Sequence, residues 1–222
     1  MDAATKKALR LQAEAVIEKL ERNNMAGYYV SSKAEVAGKV AELLHDGDTV
    51  AVGGSMSLAE TGVMDLLRSG RYRFLDRYAP GLSAEEVQDI YRQSFFADAY
   101  LCSSNAVTMN GELYNVDGNS NRVAAICYGP KSVIMIVGCN KIVRDISAAI
   151  TRVKRRSAPA NAIRLHCQTP CAQTGSCVGV QRDGMTDGCA AEGRICASYV
   201  VSAHQRLPGR IKVILVGEEV GY

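Results

Sequence analysis

The strongest constraint on the fold is an uninterrupted apolar run at residues 133–137, Val-Ile-Met-Ile-Val, bounded by a serine and a glycine. A strand with one face in water alternates apolar and polar residues, whereas a continuous run is typical of a strand buried on both faces. Strand-like segments at 49–52 and 99–102 alternate with helical patterns, of which the amphipathic segment 3–24 is the longest. This alternation predicts an α/β fold with a mostly parallel sheet.

Serine residues mark three predicted helix starts. Ser32, Ser57 and Ser83 each precede a glutamate by three residues, the spacing of a capping box. A further helix is predicted over 142–155. The chain closes with a second apolar run at 211–216, which is expected to add a strand to one edge of the sheet.

The charge balance argues against a nucleic-acid partner. The 222 residues include 26 basic and 23 acidic side chains, for a net charge of +3, and so carry no strong electrostatic footprint. One basic cluster falls at the end of the predicted helix 142–155, where cations suit the helix dipole, and it is expected to be solvated. Its members are Arg152, Lys154, Arg155 and Arg156. Because no apolar run approaches the ~18 residues of a membrane span and no signal peptide is evident, the expected compartment is the cytoplasm.

The first of two polar loops follows the strand predicted at 49–52 and reads Gly-Gly-Ser-Met-Ser over 53–57. Its glycines permit close approach of a ligand to the backbone, and free N–H groups at the following helix start favour a carboxylate or phosphate. A tight turn with Ser57 as N-cap explains the same residues. Neither the dinucleotide-binding nor the P-loop glycine pattern is present.

The second polar loop, over 103–122, follows the strand predicted at 99–102. Ligands of an open parallel sheet bind beyond the carboxyl ends of its strands, so both loops are expected on one rim. Asp117 and Arg122 are the candidate catalytic residues: Arg122 could hold an anion through two hydrogen bonds, and Asp117 could orient a hydroxyl or bind a proton. A simple turn at Asp117 and a structural salt bridge from Arg122 stay open as the alternative. The candidate ligand-binding residues of the two loops are Gly53, Gly54, Ser55, Ser57, Ser104, Asn105, Asn115, Gly118 and Asn121.

Five of the eight cysteines crowd into a glycine-bearing loop at 165–197. Without a secretion signal, metal binding or redox chemistry is a better expectation than structural disulfides. Thiolates hold zinc or an iron–sulfur cluster, and the candidate metal ligands are Cys171, Cys177, Cys189 and Cys196. The spacing matches neither a zinc ribbon nor a common ferredoxin pattern, so reduced thiols, a redox disulfide and unrelated cysteines stay open. Cys167 has no assigned role.

Nine short motifs occur in a fixed order, at 53–57, 75–78, 103–106, 115–118, 121–125, 129–131, 158–161, 169–171 and 194–196. In sequence and order they resemble the LUD-domain (lactate-utilisation) family, in its short stand-alone bacterial form, over about residues 5–222. The resemblance implies a three-layer α/β/α fold of the NagB/RpiA/CoA-transferase-like type. It implies a single domain over 1–222, with an N-terminal helix within 1–26 and the cysteine-rich loop inside the domain.

The resemblance also implies a function. Family members are associated with oxidation of L-lactate to pyruvate beside iron–sulfur partner proteins, and a small anionic metabolite is the expected ligand at the rim. A phosphosugar- or CoA-type transferase or isomerase, and a non-catalytic sensor of the same fold, are the alternatives; a homo-oligomer is left open. Short members often show Thr-Pro-Cys-x5-Cys-x2-Cys-x6-Cys, whereas eleven residues separate Cys177 from Cys189 here.

Overall fold

The computed structural model describes residues 2–182 and 184–222. Six strands of the main sheet are β1 Ala26–Val30, β2 Thr49–Val52, β3 Arg73–Leu75, β4 Ala99–Cys102, β7 Ser132–Gly138 and β10 Ile211–Val216. They lie in the order β1-β10-β7-β4-β2-β3, and every neighbouring pair is parallel. The apolar run predicted as a doubly buried strand is β7, near the centre. The predicted mostly parallel sheet is therefore confirmed.

Helices cover both faces of this sheet, which gives the expected three layers. One face carries α1 Ala3–Arg22 and α6 Asn121–Cys127, whose apolar side chains pack on β4, β7 and β10. The other face carries α2 Val36–Leu43, α3 Met56–Ala59 and α4 Val63–Leu67. Alternate residues of each strand enter the two cores; Ile134 joins one and Met135 the other. None of the helices in the described chain combines the length and apolar character that crossing a membrane requires.

A second, smaller sheet was not predicted. Its strands are β5 Ala106–Thr108, β6 Leu113–Asp117, β8 Ile142–Val143 and β9 Ser198–Ser202, in the order β8-β5-β6-β9. It packs against α7 Ile146–Arg152 and α8 Ala158–Arg164, which are joined by the π-helical segment Val153–Ser157. The remaining helices are α5 Ala84–Gln93 and α9 Pro170–Thr174. The polar loop at 103–122 is thus largely a hairpin that belongs to this sheet.

Three expectations about strand position and capping boxes were wrong. The last strand, β10, lies between β1 and β7 rather than at an edge. Ser57 does not begin a helix; it lies inside α3 and is fully buried. Ser32 bonds the Glu35 carboxylate without capping a backbone N–H, whereas the capping box at Ser83 is confirmed in full.

The basic cluster at 152–156 is not the solvated helix end that the sequence predicts. The helix continues as a π-helical turn into α8, so the cluster does not end the helix; Arg155 and Arg156 are exposed as predicted, whereas Lys154 is buried. Lys154 is 5% exposed, and its Nζ donates to the carbonyls of Gly179, Arg182 and Gly184. Its ammonium group therefore ties the cysteine-rich segment to the helix. Arg152 is half-buried, and its guanidinium donates to the Asn105 carbonyl.

Candidate functional site

A cavity of about 280 Å³ opens at the carboxyl ends of the parallel strands. Residues that directly follow β2, β3, β4, β7 and β10 line one side of it, and the π-helical turn and α8 line the other. Both polar loops reach this cavity, as expected for an open parallel sheet. Of the residues predicted in the two polar loops, those that line it are Gly54, Ser55, Ser57, Ser104, Asn105, Asp117, Gly118, Asn121 and Arg122.

Gly53 and Asn115 lie behind the cavity wall. A Cβ atom on Gly53 would lie 3.1 Å from the Tyr100 hydroxyl and 3.2 Å from Cδ of Arg122. This glycine therefore permits close packing of side chains rather than approach of a ligand. Asn115 is fully buried, and its Oδ1 accepts a 2.6 Å hydrogen bond from Nη1 of Arg122. Gly53 thus leaves room for the Arg122 side chain, and Asn115 accepts a hydrogen bond from it.

Arg122 cross-links the second polar loop through four hydrogen bonds. Nη1 donates to the Asn115 side chain and the Ser103 carbonyl at 2.6 and 3.1 Å; Nη2 donates to the Val116 carbonyl and the Asn105 side chain at 2.7 and 3.0 Å. These bonds use the N–H groups of both terminal nitrogens, so no pair is left for bidentate binding of an anion. The partners are carbonyl and amide oxygens, so the predicted salt bridge is not formed in the described chain either. In this arrangement Arg122 is a structural cross-link of the site.

Asp117 caps helix α6. Its Oδ2 accepts from the backbone N–H groups of Arg122 and Val123, at 2.9 and 3.0 Å. A carboxylate at this position satisfies free N–H groups of the first turn and suits the helix dipole. Asp117 also lines the cavity, and among the described side chains of the wall it is the only carboxylate.

The floor of the cavity contains a buried lysine that sequence reasoning missed. Lys141 is 3% exposed, and its Nζ donates to Oγ of Ser57 at 2.8 Å and to Oγ of Ser103 at 3.0 Å. No carboxylate of the described residues forms an ion pair with it. Burial, assisted by the positive charges of Arg152 and Arg122, lowers the pKa of Lys141 to about 7. An amine in this state is partly neutral at physiological pH.

Two further arginines lie at the rim. Arg77 stacks between Tyr78 and Tyr91, and its Nη2 donates to the Tyr91 hydroxyl. Its Nε is buried without a hydrogen-bond partner in the described chain. Arg164 reaches the cavity from α8, where its Nη2 donates to the Asn161 side chain. Arg77 follows β3 and Lys141 follows β7, so both lie at the carboxyl edge where the two predicted loops also lie.

The candidate metal ligands surround a second, smaller cavity of about 30 Å³, which shares a wall with the first. Cys171, Cys177, Cys189 and Cys196 all line it, and Cys196 borders both cavities. All eight cysteines are free thiols. Burial raises the pKa of Cys196 to about 11, which favours the thiol over the metal-binding thiolate. Cys167 lies outside this group.

A metal ion or an iron–sulfur cluster held by these four thiols stays a prediction. Within the described chain, no three side chains among histidine, cysteine, aspartate and glutamate come together as a metal-holding group. A structural zinc site needs four ligands in tetrahedral contact. The segment is held instead by Arg194, whose Nε and Nη1 donate to the carbonyls of Cys196 and Cys189.

The fold and the cavity define an α/β protein with a cavity lined by several cationic side chains at the carboxyl edge of a parallel sheet. The family model of the LUD domain matches residues 13–216, and the chain belongs to this family, which is associated with lactate utilisation in general. The crystal structure of a DUF162 family protein from Deinococcus radiodurans has a similar fold, with a TM-score of 0.52 and 19% sequence identity. The similarity covers 95% of this chain and 98% of that chain. No curated protein matches the sequence.

Proposed function

We propose that this protein serves L-lactate utilisation by binding lactate or pyruvate in the cationic cavity, and that it acts beside iron–sulfur partner proteins. The observation that carries the proposal is the charge of the cavity wall. Its cationic groups are the guanidinium groups of Arg77, Arg122 and Arg164 and the partly protonated amine of Lys141, against the carboxylate of Asp117 among the described side chains of the wall. A partly desolvated cavity with an excess of positive charge favours a small anion.

The volume of the cavity and the positions of its cationic side chains fit a 2-hydroxy or 2-oxo acid. A volume of about 280 Å³ lies at the lower end of ligand sites. Because the terminal nitrogens of Arg122 are occupied by the second polar loop, the rim arginines Arg77 and Arg164 are left to bind the ligand carboxylate. Lys141 and its two serine partners then face the oxygen at C2. The cysteine-lined cavity takes no part in ligand binding in this proposal.

Isothermal titration calorimetry with L-lactate and pyruvate tests the proposal. Propionate, which lacks the C2 oxygen, is the matched ligand control and is expected to bind more weakly. Arg77→Gln should weaken lactate binding about tenfold, the usual effect of losing one charge-assisted hydrogen bond. Arg92→Gln is the control variant, because Arg92 lies exposed on α5 and pairs with Asp89. Absence of heat with both acids would contradict the proposal.

The alternative function makes a different prediction in the same experiment. The cavity cations would also suit a phosphate, as in a phosphosugar- or CoA-type transferase or isomerase. Tight binding of ribose 5-phosphate or acetyl-CoA, with no response to lactate, would favour that function. The role of a partner is tested separately, by lactate-dependent dye reduction. We expect activity only when this chain and an iron–sulfur protein are both present.

A further inference from the structure

The amine of Lys141 is held in a way that accommodates both of its protonation states. Its Nζ contacts the hydroxyls of Ser57 and Ser103 at 2.8 and 3.0 Å. A hydroxyl can accept a hydrogen bond from an ammonium group and can donate one to a neutral amine. The two hydrogen bonds therefore persist when the lysine loses its proton. The third position on the nitrogen is not taken by any hydrogen bond within the described chain.

The charges around Lys141 favour the neutral amine. Burial is the largest influence, and Arg152, Arg122 and Arg156 add positive charge that further lowers the pKa. Glu60 acts in the opposite direction but does not outweigh them. A desolvated lysine near other cations is the usual setting of a nucleophilic amine, because the lone pair is available near pH 7.

We propose that Lys141 is a catalytic residue that forms a reversible imine with the carbonyl carbon of a 2-oxo acid, pyruvate, bound in the cavity. This inference rests on the proposed function. The position supports it: Lys141 follows β7 at the cavity floor, and Arg77 at the rim is placed to hold the carboxylate of the same ligand. The carbonyl of a small acid held at the rim then faces the amine.

The step balances without an oxidant or a reductant. The Nζ lone pair adds to C2, and the carbonyl oxygen gains a proton to become the hydroxyl of a carbinolamine. Ser57 and Ser103 can pass the proton from the nitrogen to this oxygen. The C2–O bond then breaks, the oxygen leaves as water after taking up one more proton, and a C2=N iminium remains. Addition of water reverses both steps and releases pyruvate.

Trapping with sodium cyanoborohydride tests the imine, because this reagent reduces an iminium in preference to a ketone. The full-length protein is incubated with pyruvate and reagent, and its mass is measured intact and after digestion. We expect one adduct per chain, heavier by pyruvic acid less one oxygen and located on Lys141. Lys141→Arg should lower the adduct at least about tenfold, since a guanidinium does not form imines. Lys212→Arg, at the opposite end of the sheet, should keep it.

Other outcomes separate this inference from the proposed function. L-lactate has no carbonyl, so its binding by calorimetry reports on the site alone. Lactate binding without a pyruvate adduct would overturn the imine and leave the proposed function in place, whereas loss of both would overturn both. An adduct spread over surface lysines, with Lys141 unmodified, would also overturn the imine. If Lys141→Arg does not fold, Ser57→Ala with Ser103→Ala keeps the amine and should slow adduct formation.

Discussion

The two neighbouring cavities each contain one buried lysine, and the partners of these lysines differ. In the larger cavity, Nζ of Lys141 lies between two serine hydroxyls. Beside the cysteine-lined cavity, Nζ of Lys154 lies among three backbone carbonyls. Carbonyl oxygens only accept hydrogen bonds, so each contact of Lys154 needs an N–H donor, whereas a hydroxyl can also donate a hydrogen bond to a neutral amine.

This difference indicates that Lys154 has a structural role and that Lys141 is available for chemistry with a ligand. Lys154 holds a loop by its charge and is needed for the segment to keep its shape. Lys141 has no acidic partner in the described chain and a pKa lowered to about 7, so it adds little to stability and is available to a ligand. The nature of the hydrogen-bond partners, rather than burial alone, thus predicts what each substitution should do.

The largest effect is expected for Lys154→Met. Methionine fills a similar volume but leaves three carbonyls without their donor, and each buried unsatisfied group costs about 1–3 kcal/mol. We expect a loss of about 5 kcal/mol in the free energy of unfolding, measured by urea denaturation. Lys131→Met, at an exposed surface ion pair, is the control and should change little. A stable Lys154→Met protein would mean that the three carbonyls have other donors in solution.

Lys141→Met should instead show a dependence on pH. The pKa is about 7 in the folded chain and returns towards about 10.4 on unfolding. Between these values the unfolded state binds more protons, so wild-type stability rises with pH; below pH 7 both states are protonated and the penalty of burial is present in full. We expect the wild type to gain stability relative to Lys141→Met as pH rises from about 7 to 10. The stability of the wild type relative to Lys131→Met should not rise over this pH range, because Asp98 raises the pKa of Lys131.

The fold was predictable wherever a local pattern fixes it. Alternation of strands and helices indicated the parallel sheet, and the run at 133–137 identified its interior strand. The interior position of β10 was not predicted, although Ile211–Val216 is almost as apolar as β7. A continuous apolar run indicates a strand buried on both faces, and this argument would have placed β10 inside the sheet as it placed β7. The second sheet could not be predicted, because β5 and β8 have only three and two residues and pair with segments distant in the chain.

The candidate site was predicted in outline but not in its chemistry. The carboxyl-end rule brought both loops to one cavity. The rule could not show that the N–H groups of Arg122 would donate to carbonyl and amide oxygens. Those partners reach Arg122 only when the strands that carry them have paired in the folded chain. Lys141 was overlooked because a single lysine after a strand has no pattern of its own. Its burial depends on Ser57 and Ser103, which are 84 and 38 residues away in the chain.

A smaller effect is expected at the cap of α6. Asp117→Ala removes the acceptor of two backbone N–H groups and should lower the free energy of unfolding by about 1 kcal/mol, the usual cost of losing a helix cap. Asp117→Asn retains an acceptor and should lose less. Thermal unfolding of both variants, with lactate binding measured on the folded proteins, separates the structural part from any effect on the ligand. Equal stability of Asp117→Ala and wild type would show that water replaces the cap.

The smallest effect concerns the wall that the two cavities share. Cys127 is exposed and should react fastest with a thiol reagent, whereas burial raises the pKa of Cys196 to about 11 and should slow it at least about tenfold. Because Cys196 borders both cavities, saturating lactate should protect it further while leaving Cys177, which lines only the cysteine cavity, unchanged. Mass spectrometry of timed alkylation measures each site. Equal protection of both thiols would show that the ligand closes the whole segment, and that the two cavities respond to it as one.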